Sequence, residues 1–136
     1  MESRELQLDT RGQRVTDVTD QIRSFARDVG GDGLLHLFLP HATAGLALME
    51  TGSGSERDLE ETLEQHLLPR DDRYTHRHGS VGHGADHLVP VLVSPTLVLA
   101  VQDGDVVMGT WQSVCVVDTN RDNDRRRLRL AVFRSA

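Results

Sequence analysis

Residues 96–118 read TLVLAVQDGDVVMGTWQSVCVVD, two apolar runs that meet at Asp103-Gly104 and break again at Gly109-Thr110-Trp111-Gln112. Asp-Gly is a strong signal for a two-residue hairpin turn, because both central residues of that turn need positive φ. Strands are therefore expected over 96–101 and 105–118. Glycine inside a strand marks a bulge or a ligand's close approach. Trp111 then has two readings: a core residue beside the bulge, or a flat face for stacking on a ring, with Gln112 offering both a donor and an acceptor. The runs 96–101 and 114–117 lack polar alternation, which predicts cover on both faces and, with few helices to supply it, a homo-oligomer. Cys115, the single cysteine, lies in the second run and reads as a buried structural thiol.

Outward from this hairpin the periodicity keeps changing between two and 3.6. Leu6 and Leu8 alternate with polar residues, and residues 14–18 are expected to pair with them across Arg11-Gly12. Thr19 can cap a helix whose apolar face is Ile22, Phe25, Ala26 and Val29, stopped by Gly30-Gly31. Strands are read at 34–39 and 44–50 around a Pro40-His41 corner, and a helix carrying Leu59, Leu63 and Leu67 ends before Pro69. A polar loop over 70–86, a short helix from His87 and a last strand with Leu128, Leu130 and Val132 complete the chain. The class is α+β, a β-rich sandwich of largely antiparallel strands with a few helices in a single domain, 1–136.

Charge narrows the function. Fifteen basic residues against 21 acidic ones leave a net charge of −6, which disfavours general nucleic-acid binding. All fifteen are Arg, so Schiff-base and lysine general-base chemistry are excluded and anions fall to Arg, His, backbone N–H groups or a metal. No window approaches the ~20 apolar residues of a membrane span, and a cytoplasmic protein is expected.

Histidine carries the chemistry. His76, His78, His83 and His87 crowd a glycine-rich stretch, and His41 follows Pro40. Imidazole binds metals and moves protons near neutral pH. His76 and His78 are able to join His41 in three-nitrogen coordination with an open position, the pattern of catalytic zinc sites. Solvated loop histidines are the competing reading for His78 and His83. These two glycine neighbours, Gly82 and Gly84, speak against a helix through His83, although His83 and His87 would share a face if one formed. Asp86 adjoins His87, and a nearby carboxylate fixes an imidazole's tautomer. The small residues Ala42-Thr43-Ala44-Gly45 allow backbone to approach an anion, or make a tight corner that His41 caps. Glu50 is a ligand, a general base or an exposed strand end. Residues 121–127 read as a solvated hairpin tip with Arg125 best placed to reach an anion.

His41-Ala42-Thr43-Ala44-Gly45 leading to Glu50, Gly82 to His87-Leu88, Asp103-Gly104, Gly109-Thr110-Trp111-Gln112 and the Arg-rich hairpin occur in the order that resembles the YjbQ-like family, over nearly the whole chain. The resemblance implies a secondary thiamine-phosphate synthase, a transferase joining hydroxymethylpyrimidine diphosphate to thiazole phosphate, and a homotrimer with sites near subunit boundaries. It carries over to His41, Thr43, Glu50, His87, Trp111 and Gln112, with Tyr74-Thr75-His76 as a further element. The chain departs from the pattern at Met49, Val89, Pro90 and Asn123. On this reading His41, Glu50, His87 and Gln112 are catalytic, Thr43, Trp111 and Arg125 bind the substrate's groups, and His41, His76 and His87 hold a divalent metal, Zn or Mg. The alternative is a metal-binding homotrimer that binds or hydrolyses another small phosphorylated or carboxylated metabolite.

Overall fold

The computed structural model describes residues 1–134. Eight strands form two antiparallel sheets. The larger, in the order β1-β8-β3-β5-β6, takes β1 (Glu2–Asp9), β3 (Gly33–Phe38), β5 (Thr96–Gln102), β6 (Asp105–Val106) and β8 (Arg125–Arg134). The smaller, in the order β2-β7-β4, takes β2 (Val15–Asp17), β4 (Ala44–Met49) and β7 (Ser113–Asp118). The α+β sandwich expected from the sequence is the fold observed.

The main core lies between the sheets: Leu35, Leu37, Leu99, Leu128 and Leu130 face Leu46, Val114 and Val116, and α1 (Thr19–Val29) adds Ile22, Phe25 and Ala26. Asp103 and Gly104 adopt φ of 51° and 77°, and β5 pairs with β6 through Val101↔Val106 and Gln102↔Asp105, the hairpin that Asp-Gly predicts. Thr19 is the first helical residue of α1 rather than its cap. Asp17 Oδ1 accepts from the Thr19 N–H at 2.9 Å and from its hydroxyl at 2.6 Å.

Other sequence expectations are corrected. The opening hairpin does not form, because β1 pairs with β8 and β2 with β7 in different sheets. The long strand over 105–118 is two strands, β6 and β7, and residues 107–112 carry the chain from one sheet to the other. Past α2 (Ser55–Glu61) the helix widens into a π-helical segment, Thr62–Leu67, with Leu68 N–H donating to Leu63 carbonyl at 2.7 Å. That five-residue spacing turns Leu68 inward and leaves Leu67 57% exposed, so the face read at four-residue intervals ends one residue further on, at Leu68 rather than Leu67.

The unbroken run Val114–Val117 is covered on both sides by this chain alone. Val114 and Val116 face the larger sheet, whereas Val117 packs with Leu63, Leu68, Ala85 and Val89 beneath α2, α3 (His83–Asp86) and α4 (Val89–Leu92). β5 differs: Leu99 and Val101 point inward, but Val98 is 58% exposed on the outer face opposite His36, diagonal to Leu34, which pairs with Phe133. Cys115 is buried, and burial together with Asp17 and Glu56 pushes its thiol up to about 12, which makes it unreactive.

Candidate metal centre

Gly82 and Gly84, which argue against a helix in the sequence, are what allow α3 to form where it does. Gly82 has φ of 82° ahead of the helix, and a side chain there would fall 2.6 Å from Arg70 Cβ. A Cβ on Gly84 would fall 2.7 Å from the His76 carbonyl oxygen and 2.6 Å from Tyr74 Cβ. The glycines therefore admit the incoming loop against α3, and Tyr74 pins that loop by donating its hydroxyl proton to the Pro69 carbonyl at 2.7 Å. The one-turn helix then places His83 and His87 on one face.

The result is a histidine nest. Ligand atoms of His76, His83 and His87 lie within 4.8 Å of one another. The Nε2 atoms of His83 and His87 face each other at 3.2 Å, and His76 Nε2 is buried with no hydrogen-bond partner. Exposed His78 lies against His76 with ring centroids 3.9 Å apart. Burial, then the neighbouring imidazoles, holds the pKa of His76 and His87 below the ordinary histidine value, which favours the neutral ring that can donate a lone pair. A cavity of about 240 Å³ opens beside the nest, lined by Asp71, Asp72, Tyr74, His76, Arg77 and His83 among others.

The nest stands on a buried ion pair. Asp86 is 0% exposed; its Oδ1 accepts from Arg70 and from the Thr119 hydroxyl, the latter at 2.7 Å. Arg70 also donates to the Thr119 carbonyl at 3.2 Å. These contacts tie the 70–87 segment to the end of β7.

His41 is placed elsewhere, and the trio read from the sequence changes accordingly. Pairing of β3 with β8 ends at Phe38↔Arg129, and past it the Arg127 N–H donates to His41 Nε2 at 2.8 Å. That nitrogen is committed to the backbone, and burial with Arg126 and Arg127 lowers the ring's pKa. His83 takes the position in the trio that the sequence reading gave to His41. Thr43 is buried, and its hydroxyl accepts from Arg126 and from Asn120, each at 3.2 Å. Gly45 meets its own chain: a Cβ there would fall 1.9 Å from the Val93 carbonyl oxygen. The 121–127 tract is not wholly solvated, since Arg126 is 3% exposed and pairs with buried Asp118 at 2.6 Å. Arg125 stands exposed at the start of β8. Successive residues of an extended chain point opposite ways, so Asp118 and Asn120 serve the Arg126–Thr43 group while Thr119 serves Asp86 on the other side.

Glu50, Trp111 and Gln112 form a third location. The register Met49↔Ser113 puts Glu50 and Gln112 next to each other at the far end of the smaller sheet, and six-residue β7 separates them from Thr119. At about 3.3 Å per residue that is roughly 17 Å or more. Gln112 Oε1 accepts from the Gly109 N–H at 2.8 Å, closing a turn that leaves Trp111 76% exposed rather than in the core.

Similarity to known proteins agrees with this architecture. The family model described as UPF0047 protein YjbQ-like matches residues 4–135. The UPF0047 protein Rv2556c of Mycobacterium tuberculosis is 52% identical over 131 residues, covering 96% of this chain and 97% of that protein. The hypothetical protein APE1520 of Aeropyrum pernix K1 has a similar crystal structure, with a TM-score of 0.89, 26% identity and coverage of 99% and 100%. A YbjQ-like protein of unknown function from Sulfolobus solfataricus P2, SSO2532, shares the fold at a TM-score of 0.90 and 20% identity, with 98% and 97% covered. An antiparallel sandwich carrying a histidine nest over its smaller sheet is thus the class of protein at hand. The chain belongs to the YjbQ-like family, UPF0047. Among the described residues no helix is long and apolar enough to cross a membrane.

Proposed function

We propose that His76, His83 and His87 hold a divalent metal ion at which a small phosphorylated or carboxylated metabolite is bound and transformed. The observation that carries this reading is the unpartnered, buried His76 Nε2 beside two facing imidazole nitrogens. Burying a polar atom without a partner is costly, and a cation shared with the two facing nitrogens satisfies His76 Nε2. Three imidazole nitrogens suit zinc, whereas magnesium prefers oxygen ligands. Such an ion supplies Lewis acidity toward a phosphoryl or carbonyl oxygen. The chain's own groups do the rest: the cavity admits a small molecule, and Arg77 is the cation on its wall for an anionic group, set against Asp71 and Asp72 on the same wall.

Thiamine-phosphate synthesis is the more specific reading, and exposed Trp111 favours it as a stacking face for the pyrimidine ring, with Gln112 and Glu50 beside it. Those residues are too distant from the nest of their own chain to share one substrate with it, so this reading requires assembly, a homotrimer in which one subunit's Trp111 meets another's histidines. Both readings are tested by loading purified protein with zinc and supplying the two thiamine precursors, with His87→Ala and Trp111→Ala alongside. Stoichiometric zinc in wild type and its loss in His87→Ala is the result expected of the metal centre. Thiamine phosphate formed by wild type and abolished in both variants is the result expected of the synthase. Wild type that retains no zinc would remove both.

A further inference from the structure

Four buried side-chain atoms without hydrogen-bond partners gather in one place: His76 Nε2, His83 Nδ1, Asp86 Oδ2 and Arg70 Nη2. Native interiors rarely leave such groups unmet, so each asks for an explanation. His76 Nε2 is explained by the metal reading. His83 Nδ1 lies between two carboxylates, 3.4 Å from Asp86 Oδ2 and 3.1 Å from Asp122 Oδ2, in neither case with hydrogen-bond alignment.

We propose that Asp122 and Asp86 are positioning residues that keep the His83 proton on Nδ1 and present the Nε2 lone pair to the metal centre. The proposal rests on the metal reading above for its purpose, though not for its geometry. Both carboxylates are themselves held. Asp122 Oδ2 accepts from the Ser80 N–H at 3.2 Å and from the Ser80 hydroxyl at 3.1 Å. Gly79 makes room for that contact, since a Cβ there would fall 2.9 Å from Asp122 Oδ2 and 3.0 Å from the His83 ring. Asp86 Oδ1 is occupied by Arg70 and Thr119, which leaves Oδ2 facing the imidazole.

An Nδ1 flanked by two carboxylate oxygens carries the proton, because a lone pair there would be repelled from both sides. In the neutral ring the other nitrogen then holds the lone pair, and it is this nitrogen that faces His87 Nε2 at 3.2 Å. A carboxylate behind a ligating imidazole fixes the tautomer and ring angle and raises the ligand's basicity. The two carboxylates come from different parts of the chain, Asp86 from the histidine segment and Asp122 from the β7–β8 connection. Metal affinity is thereby coupled to the seating of that connection over the nest.

Long-range nitrogen–proton correlation spectra of metal-free protein report the His83 tautomer directly, and competition with a chromophoric chelator reports zinc affinity. Wild type is expected to show His83 in the Nδ1–H form. Asp122→Ala is expected to give mixed tautomers and bind zinc about 10- to 100-fold more weakly. Asp122→Asn, which keeps an acceptor but no charge, is expected to fall between them and covers the case in which the alanine variant misfolds. Asp86→Asn is expected to change the tautomer in the same direction. An unchanged tautomer in both asparagine variants would overturn the proposal. A tautomer that changes in the asparagine variants while wild type binds no zinc would keep the positioning role and dismiss the metal centre, so the two failures are distinguishable.

Discussion

At the scale of residues, the histidines around the nest share one electrostatic consequence. The pKa of His76 is depressed by burial, then by His78, His87 and His83, that of His87 by burial, then by His83 and His78, and that of His41, away from the nest, by burial and two arginines. Unfolding restores the ordinary value of about 6.5. Between the depressed values and that figure the unfolded chain binds more protons than the folded one, so stability rises with pH across this window and is fully present above it. The melting temperature of metal-free protein is therefore expected to fall as pH is lowered from about 7.5 to about 5.5, and His87→Ala to flatten the decline. A scan showing equal melting temperatures across that interval would contradict the neutral state assigned to the rings. Among these residues His76 and His87 are legible as candidate ligands because their neighbours are glycine and charge. For His83 the flanking glycines argue against a helix in the sequence, and their tight packing against Arg70 and Tyr74 appears only in three dimensions.

At the scale of elements, the π-helical segment decides which leucine is inside. A regular helix would put Leu67 with Leu59 and Leu63, but the wider turn delivers Leu68 to the cluster formed by Leu63, Ala85, Val89 and Val117. Leu68→Ala is expected to cost about 2–5 kcal/mol in urea unfolding. Leu67→Ala is expected to stay within about 0.5 kcal/mol. Equal costs for the two would mean that the helix is regular there. The same cluster forms the floor of α3 and α4, so a strong Leu68 effect also predicts weaker zinc retention by the nest above it. Sequence periodicity identified α1 and β8 because their patterns repeat undisturbed, whereas a single five-residue step leaves no mark in composition.

At the scale of the whole molecule, two faces of similar composition have different fates. The apolar β7 is enclosed by a sheet on one side and helices on the other, whereas the outer face of the larger sheet presents Leu34, Val98 and Phe133 at 53%, 58% and 51% exposure. Contiguous exposed apolar residues on a sheet mark an association surface. Light scattering at micromolar concentration is expected to give a multiple of the chain mass, and Val98→Glu to reduce it toward the monomer while leaving the circular dichroism spectrum intact. A monomeric wild type would end the homotrimer reading, and with it the route by which Trp111 reaches a histidine nest.

Local rules were enough for the features that neighbouring residues settle between themselves. Asp103-Gly104 makes a hairpin because both residues accept positive φ, Leu128 to Val132 alternate because one face of β8 meets the core, and the crowding of histidine is visible in the chain itself. Tertiary structure decided every question of partnership across long separations. It sent β1 and β2 to different sheets, gave His41 to the Arg127 backbone, buried Arg126 against Asp118 and set Glu50 and Trp111 at the opposite end of β7 from the nest. The physical reason is that side-chain alternation and turn preference act over a few residues, whereas strand pairing and the placement of a buried charge depend on which distant surfaces are left to be covered.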